Sequence, residues 1–324
     1  GSDLNPVPAR ISRTLTDILP KVAGQPGLHP GTEATDASEA VGSLFATGPG
    51  MQTAEPFEGL RRDVQHYAEW VGGESWKVLR DFYPNEAGEV PVAWLWARTA
   101  SCPNPACGAQ TVLATSWWLS KKKGDLAWIE PSTSNGEVRL SVVSNATSGE
   151  APPPPKIARG ASFKCLTCNA TISDSDLESQ SDAGTLGYRM TAIAVDRDGV
   201  RSYRAPSAKD LAAADRVPLP EWIPDTIPAT DGTRRRRFEP KTQADLYTTR
   251  QLTTLTVLAD QVAQVHDRVI ADGGTEEWAV AVTTLLGLAV GRRARYGSTQ
   301  SQWRLRTSAN AKAESVFARN ALPM

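Results

Sequence analysis

Cys102-Pro103-Asn104-Pro105-Ala106-Cys107-Gly108 and, further along, Cys165-Leu166-Thr167-Cys168 decide how this chain folds. The first stretch separates its two cysteines by four residues and the second by two, with 57 residues between the pairs. These are all four cysteines of the chain. Two cysteines a few residues apart form a knuckle that aims both sulfurs at one ion. Two knuckles complete a tetrahedral four-thiolate site, the arrangement of structural zinc. Such a ligand set suits zinc or an iron–sulfur centre and disfavours hard, oxygen-preferring ions. Gly108 stands where the first knuckle needs a tight turn, and Phe163 is placed to pack beneath the second. The competing reading, four unrelated buried thiols, does not account for the paired spacing. A closed site has no open coordination position, so the ion is expected to help fold a small β layer and not to catalyse.

Strand patterns surround the cysteines. Val92 to Ala100, dense in Val, Trp and Ala, predicts a strand entering the first knuckle, and Gln110 to Leu119 and Leu126 to Glu130 predict two more. Pro152-Pro153-Pro154-Pro155 predicts a stiff extended linker. Met190 to Val195 and Gly199 to Tyr203 predict a hairpin around Asp196-Arg197-Asp198-Gly199, which carries an Asp-Gly turn signal. Ser207 is a candidate cap for the Ala-rich run after it.

Helical spacing marks both flanks. Ile11, Leu15, Ile18 and Leu19 predict a short helix within residues 3–23, and residues 24–56 predict a loop rich in Gly, Pro, Thr, Ser and Ala. Leu60, Val64, Tyr67, Val71, Trp76, Leu79 and Phe82 predict one or two helices that Pro84 ends. Leu246 to Ala271 and Glu276 to Tyr296 predict two long helices parted by Gly273-Gly274, and Ala309 to Arg319 a shorter third. Pro218 to Pro240 is irregular, with five prolines.

Composition bounds the function. The chain has 324 residues, 40% hydrophobic and 22% charged, which suits a globular protein of about two domains. Net charge is −1, so nucleic-acid contact has to come from local patches. No run of about 18 apolar residues predicts a membrane span. Residues Gly1 to Pro6 lack the pattern of a signal peptide, so a reducing, cytoplasmic setting is expected, in which paired cysteines bind metal. The missing initial Met and the Ala321-Leu322-Pro323-Met324 end read as cuts through a longer protein.

Trp94-Leu95-Trp96-Ala97-Arg98-Thr99 before the first knuckle, and Ser116-Trp117-Trp118-Leu119-Ser120-Lys121-Lys122-Lys123-Gly124 after it, are more specific than their spacing. With Ser2-Asp3-Leu4-Asn5-Pro6-Val7, Leu246 to Leu252 and Phe317 to Met324, they resemble the zinc-ribbon-containing adenine-specific DNA methylases of bacterial and archaeal defence islands. The resemblance runs the length of the chain. It implies a class I methyltransferase that uses S-adenosylmethionine to methylate the exocyclic amine of a flipped adenine. It places Asp3 on the cofactor ribose, with Asn5 and Pro6 shaping the adjoining turn. The family's glycine-rich cofactor loop and its Asp/Asn-Pro-Pro-Tyr/Phe tetrapeptide do not occur here, and Asp81-Phe82-Tyr83-Pro84 has the wrong order. The expectation is that these residues alone are catalytically silent and serve target recognition.

The expected fold is therefore mixed α/β: a partial Rossmann-like methyltransferase remnant, an inserted β-rich zinc ribbon and a helical C-terminal segment. Residues 1–58 would hold the cofactor-binding remnant and a loop, and 59–100 a helical segment and a strand. Residues 101–204 would form the zinc-ribbon insertion with its hairpin, 205–245 a Pro/Arg-rich connector, and 246–324 helices leading to the catalytic part.

Two basic runs are candidate contacts to double-stranded DNA. Lys121, Lys122 and Lys123 sit near Trp117, Trp118 and Trp128, with the tryptophans expected in the core and the lysines free for phosphate. Arg234, Arg235, Arg236 and Arg237 form the strongest local positive charge. Both runs also suit plain solvated loops. A second function class is a docking module for other proteins of a defence complex. His29, His66 and His266 form no ligand cluster in the sequence, and His266 is expected on the surface.

Overall fold

The structure, a computed structural model, describes residues 6–29, 55–157, 160–223, 242, 244–299 and 301–314. Its fold is mixed α/β, with helices and a curled antiparallel sheet. Helix α1 (Pro6–Arg13) continues through a π-helical turn (Thr14–Ile18) into α2 (Leu19–Val22), and α3 (Glu58–Leu79) ends in a 3-10 turn (Arg80–Phe82). Five strands follow: β1 (Val90–Ser101), β2 (Gln110–Val112), β3 (Trp118–Lys122), β4 (Asp125–Ser134) and β5 (Glu137–Ala146). The short β6 (Phe163–Lys164) and β7 (Thr171–Ile172) precede α4 (Asp174–Asp182), β8 (Gly187–Arg197), β9 (Val200–Arg204) and α5 (Ala208–Asp215). Two long helices, α6 (Thr249–Ala271) and α7 (Glu276–Tyr296), lead to β10 (Gln302–Arg304) and β11 (Lys312–Glu314).

The chain divides into two compact units, Gly1–Arg80 with Leu252–Ala294, and Asp81–Gln251 with Arg295–Met324. Among its described residues the first unit is helical. Its core joins Ile18, Val22, Leu60, Tyr67, Val71, Val265, Val269, Trp278 and Val282, the apolar stripes of four helical segments. Asp63 is fully buried at the centre of this unit. Its carboxylate accepts from the Leu28 amide at 2.7 Å, the His29 amide at 3.0 Å and Trp278 Nε1 at 2.8 Å. Three donors satisfy the charge that burial would otherwise penalise.

The second unit is built on strands. One sheet runs β2-β1-β8-β9 and another β3-β4-β5, with two short hairpins, β6-β7 and β10-β11. Every strand pairing among the described residues is antiparallel. Edge strand β9 meets β5 where the Tyr203 amide donates to Ser144 Oγ at 3.0 Å, which curls the layers around one core. That core contains Val112, Trp117, Leu119, Ile129, Ala192, Ala194 and Tyr203. The expected hairpin between β8 and β9 forms. Asp198 and Gly199 take φ of +50° and +78°, the left-handed pair that a two-residue turn between twisted strands requires. Ser207 caps α5, accepting from the Asp210 amide while Asp210 accepts from the Ser207 amide.

Three expectations change. The single strand over Gln110 to Leu119 is two strands, because the chain breaks to bury Trp117, 1% exposed, whose Nε1 donates to the Pro153 carbonyl at 3.2 Å. The proline run is no free linker: the Pro155 carbonyl accepts from the Lys164 amide at 2.8 Å, and Lys156 bridges to Phe163. The described part of Ala309 to Arg319 holds strand β11 instead of a helix. There Ala313 pairs with Trp303 and Lys312 with Arg304, and ladder pairing overrides the helix preference of alanine. No helix among the described residues is long and apolar enough to cross a membrane.

Candidate metal centre

Each cysteine pair forms the turn of a β-hairpin. The first knuckle joins β1 to β2, with Ser101 paired to Gln110, and the second joins β6 to β7, with Lys164 paired to Thr171. The two turns close alike. The Cys102 amide donates to the Ala109 carbonyl at 3.0 Å, and the Cys165 amide donates to Ala170 at 2.8 Å. The residue after the second cysteine is left-handed in both, Gly108 at φ +57° and Asn169 at φ +61°. Gly and Asn tolerate that conformation best, which is why these two residue types stand there. The two extra residues of the first knuckle are absorbed by Asn104. Its carbonyl accepts from the Cys107 and Gly108 amides, and its side-chain oxygen accepts from the Ala106 amide at 3.0 Å.

The four sulfurs all lie within 4.8 Å of one another and can hold a metal ion. Cys102 and Cys168 are 3.6 Å apart, and Cys107 and Cys165 are 3.9 Å apart. Sulfurs about 2.3 Å from a tetrahedral ion lie about 3.8 Å from each other, so these separations fit a four-thiolate cage. They are far longer than the roughly 2.05 Å of a disulfide, and all four cysteines are free. Cys102 and Cys165 are buried, while Cys168 reaches the surface.

The surroundings tune the thiols unequally. Burial opposes ionisation of Cys165. The Thr111 hydroxyl, the Cys168 and Thr167 amides and Cys102 outweigh it, bringing this thiol down to about 6. Burial pushes Cys102 up to about 12, assisted by Cys168 and Cys165. Cys107 also moves up: the Ala109 amide favours its thiolate, but burial and the neighbouring thiols prevail. Of Cys102, Cys107 and Cys165, Cys165 is the one whose surroundings favour the thiolate.

Residues outside the cysteine pattern hold the cage. Thr111, fully buried on β2, donates its hydroxyl to Cys165 Sγ at 3.3 Å and accepts from the Leu166 amide at 3.3 Å. One side chain therefore ties the first hairpin to the second knuckle. Gln180 on α4 grips the end of β1, accepting from the Ser101 amide at 2.8 Å and donating to its carbonyl at 3.0 Å. Beneath lies an apolar cluster of Ala100, Leu113, Phe163, Ile172 and Leu177. Phe163 packs as expected, fully buried. Neither Thr111 nor Gln180 stands at a motif spacing.

The basic run lies at the β3–β4 turn, where Lys122 pairs with Asp125. Lys121 and Lys123 are exposed. Trp117 and Trp128 are buried, while Trp118 is half-buried, with Lys121 Nζ 5.2 Å from its ring centre. Asp3, Asn5 and Arg234 to Arg237 lie outside the described residues. In the helical unit His29 and His66 stack with ring centres 3.6 Å apart, a juxtaposition absent from the sequence reading. Among the described residues the four cysteines are the one His/Cys/Asp/Glu group disposed to hold a metal. Comparison with protein-family models, curated proteins and solved structures finds no match.

Proposed function

We propose that the four cysteines bind one structural zinc ion and that the ribbon they hold presents a DNA-recognition surface in an adenine-specific, S-adenosylmethionine-dependent DNA methyltransferase. The observation that carries this is the sulfur cage at tetrahedral spacing, with an exposed lysine turn on the same unit. The ion closes two hairpins that are otherwise too short to be stable alone. Lys121 and Lys123 supply phosphate contacts, and Arg234 to Arg237 add to them. The methyltransferase assignment, the Rossmann-like remnant and the roles of Asp3 and Asn5 rest on the motif resemblance.

Fluorescence anisotropy with a labelled duplex tests the reading, before and after chelation of the metal. The expected result is salt-sensitive binding that is lost with the metal. Absence of duplex binding at low salt overturns it. A second reading, docking to another protein of a defence complex, is favoured by exposed apolar side chains on one segment. Leu219 is 64% and Trp222 69% exposed. Retention of a partner protein without any duplex binding selects that reading.

A further inference from the structure

The lysine turn does not stand alone. Hairpin β10-β11, some 180 residues further along the chain, lies against it. Trp303 on β10 packs, partly buried, against the sheet core and donates Nε1 to the Leu119 carbonyl at 2.8 Å. The Lys123 amide donates to the Thr307 carbonyl at 3.2 Å, and Lys122 Nζ donates to Asn310 Oδ1 at 3.3 Å. The hairpin carries Arg304, Arg306 and Lys312, all exposed. Two distant segments thus bring six cations together: Lys121, Lys122, Lys123, Arg304, Arg306 and Lys312. Among the described residues two carboxylates pair with them, Asp125 with Lys122 at 3.7 Å and Glu314 with Arg304 at 3.2 Å and Lys312 at 3.3 Å.

In a chain of net charge −1, this concentration of positive charge is local. Exposed like charges repel, so gathering them on one face weakens the fold slightly unless a polyanion neutralises them. Surface pairs to Asp125 and Glu314 recover little of that cost. The half-buried Trp118 ring beside Lys121 adds an aromatic surface next to the cations. Cations interleaved with an aromatic ring suit a nucleic-acid strand better than an acidic protein surface, because phosphates take the charge and a sugar or base takes the ring.

We infer that the β3–β4 turn and the β10–β11 hairpin form one nucleic-acid-binding surface, with Arg304, Arg306 and Lys312 as phosphate contacts equal in rank to Lys121 and Lys123. This rests on the DNA-recognition reading and names the half of its surface that the sequence does not reveal.

The test is anisotropy of a labelled duplex against the full chain from low to moderate salt. It compares the parent, a K121Q/K123Q variant, an R304Q/R306Q/K312Q variant and R306Q alone. Metal content and thermal melting confirm that each is folded. R306Q guards against loss of the hairpin, because among the described residues Arg306 makes no ion pair, whereas Arg304 and Lys312 both pair with Glu314. Each phosphate contact contributes about 0.9 to the slope of log affinity against log salt. The expected result is a slope shallower by about 2–3 for the triple variant, about 2 for the lysine variant and about 1 for R306Q. Parent binding that the lysine variant weakens and the hairpin variants leave unchanged overturns the inference while the DNA reading stands. A parent that binds no duplex overturns both. Equal binding of polyglutamate and duplex, lost together in the hairpin variants, assigns the surface to an acidic protein and overturns the nucleic-acid inference.

Discussion

Replacing Thr111 by Val tests whether the cage is a built metal centre. Thr111 is fully buried, and Val preserves its branched shape, so packing is retained. The substitution deletes a hydroxyl that donates to Cys165 Sγ at 3.3 Å and accepts from the Leu166 amide at 3.3 Å. A hydrogen bond to a charged group contributes about 1.5–3 kcal/mol, and an orphaned buried amide costs about 1–3 kcal/mol. The orphaned amide burdens the metal-bound and metal-free protein alike, so only the first loss changes metal affinity. At about 1.4 kcal/mol per tenfold, that is roughly 10- to 100-fold in Kd, the range seen when other metal centres lose an outer partner. Cys165, brought down to about 6 partly by this hydroxyl, becomes harder to ionise, so zinc uptake shifts to higher pH. Competition with a chromophoric chelator at neutral pH reads the affinity, and a thermal melt reads the amide. A Thr111→Val protein that melts lower but binds zinc within threefold of the parent would refute the reasoning, leaving the hydroxyl a packing detail.

Other expectations follow from the same contacts. Asp63→Ala strands the Leu28 and His29 amides and Trp278 Nε1, and costs on the order of 3–5 kcal/mol in urea unfolding followed by helix signal; a loss below about 1 kcal/mol contradicts the central place given to Asp63. Asp210→Asn breaks a buried pair with Arg204 at 2.6 Å and costs about 2–3 kcal/mol near neutral pH, less than an isolated pair because Glu89 still holds Arg204 at 2.8 Å. Burial pushes the Asp210 carboxyl up, but Arg204 and Ser207 outweigh it and hold it below its ordinary 3.8. Its stabilisation is therefore present above its ordinary 3.8 and fades as pH falls through the lowered folded-state value, so the gap between parent and Asp210→Asn narrows steadily in acid unfolding. A gap that stays constant as the pH falls excludes the ionic origin.

What the sequence discloses follows from how local the cause is. The knuckles were legible because their sulfurs, turns and following Gly108 lie within a few residues. The Asp198-Gly199 hairpin and the two long helices were legible for the same reason. Asp-Gly fixes a turn locally, and apolar residues at helical spacing announce a buried face. Thr111 and Gln180 were not legible, since their roles exist only once β2 and α4 meet the cage. Strand β11, within the expected helix over Ala309 to Arg319, was misread because its alanines favour helices, whereas Trp303, anchored on the Leu119 carbonyl, sets the pairing from far away in sequence. The same distance hid Arg304, Arg306 and Lys312 from any reading of charge runs.

Elemental analysis and X-ray absorption on the full chain, purified without added metal, test the central claim most directly. The account predicts one zinc per chain with four sulfur neighbours at about 2.3 Å, and loss of the fold around Cys102 to Ile172 on chelation. Absence of metal, oxygen or nitrogen in the first coordination sphere, or a fold indifferent to chelation would contradict it.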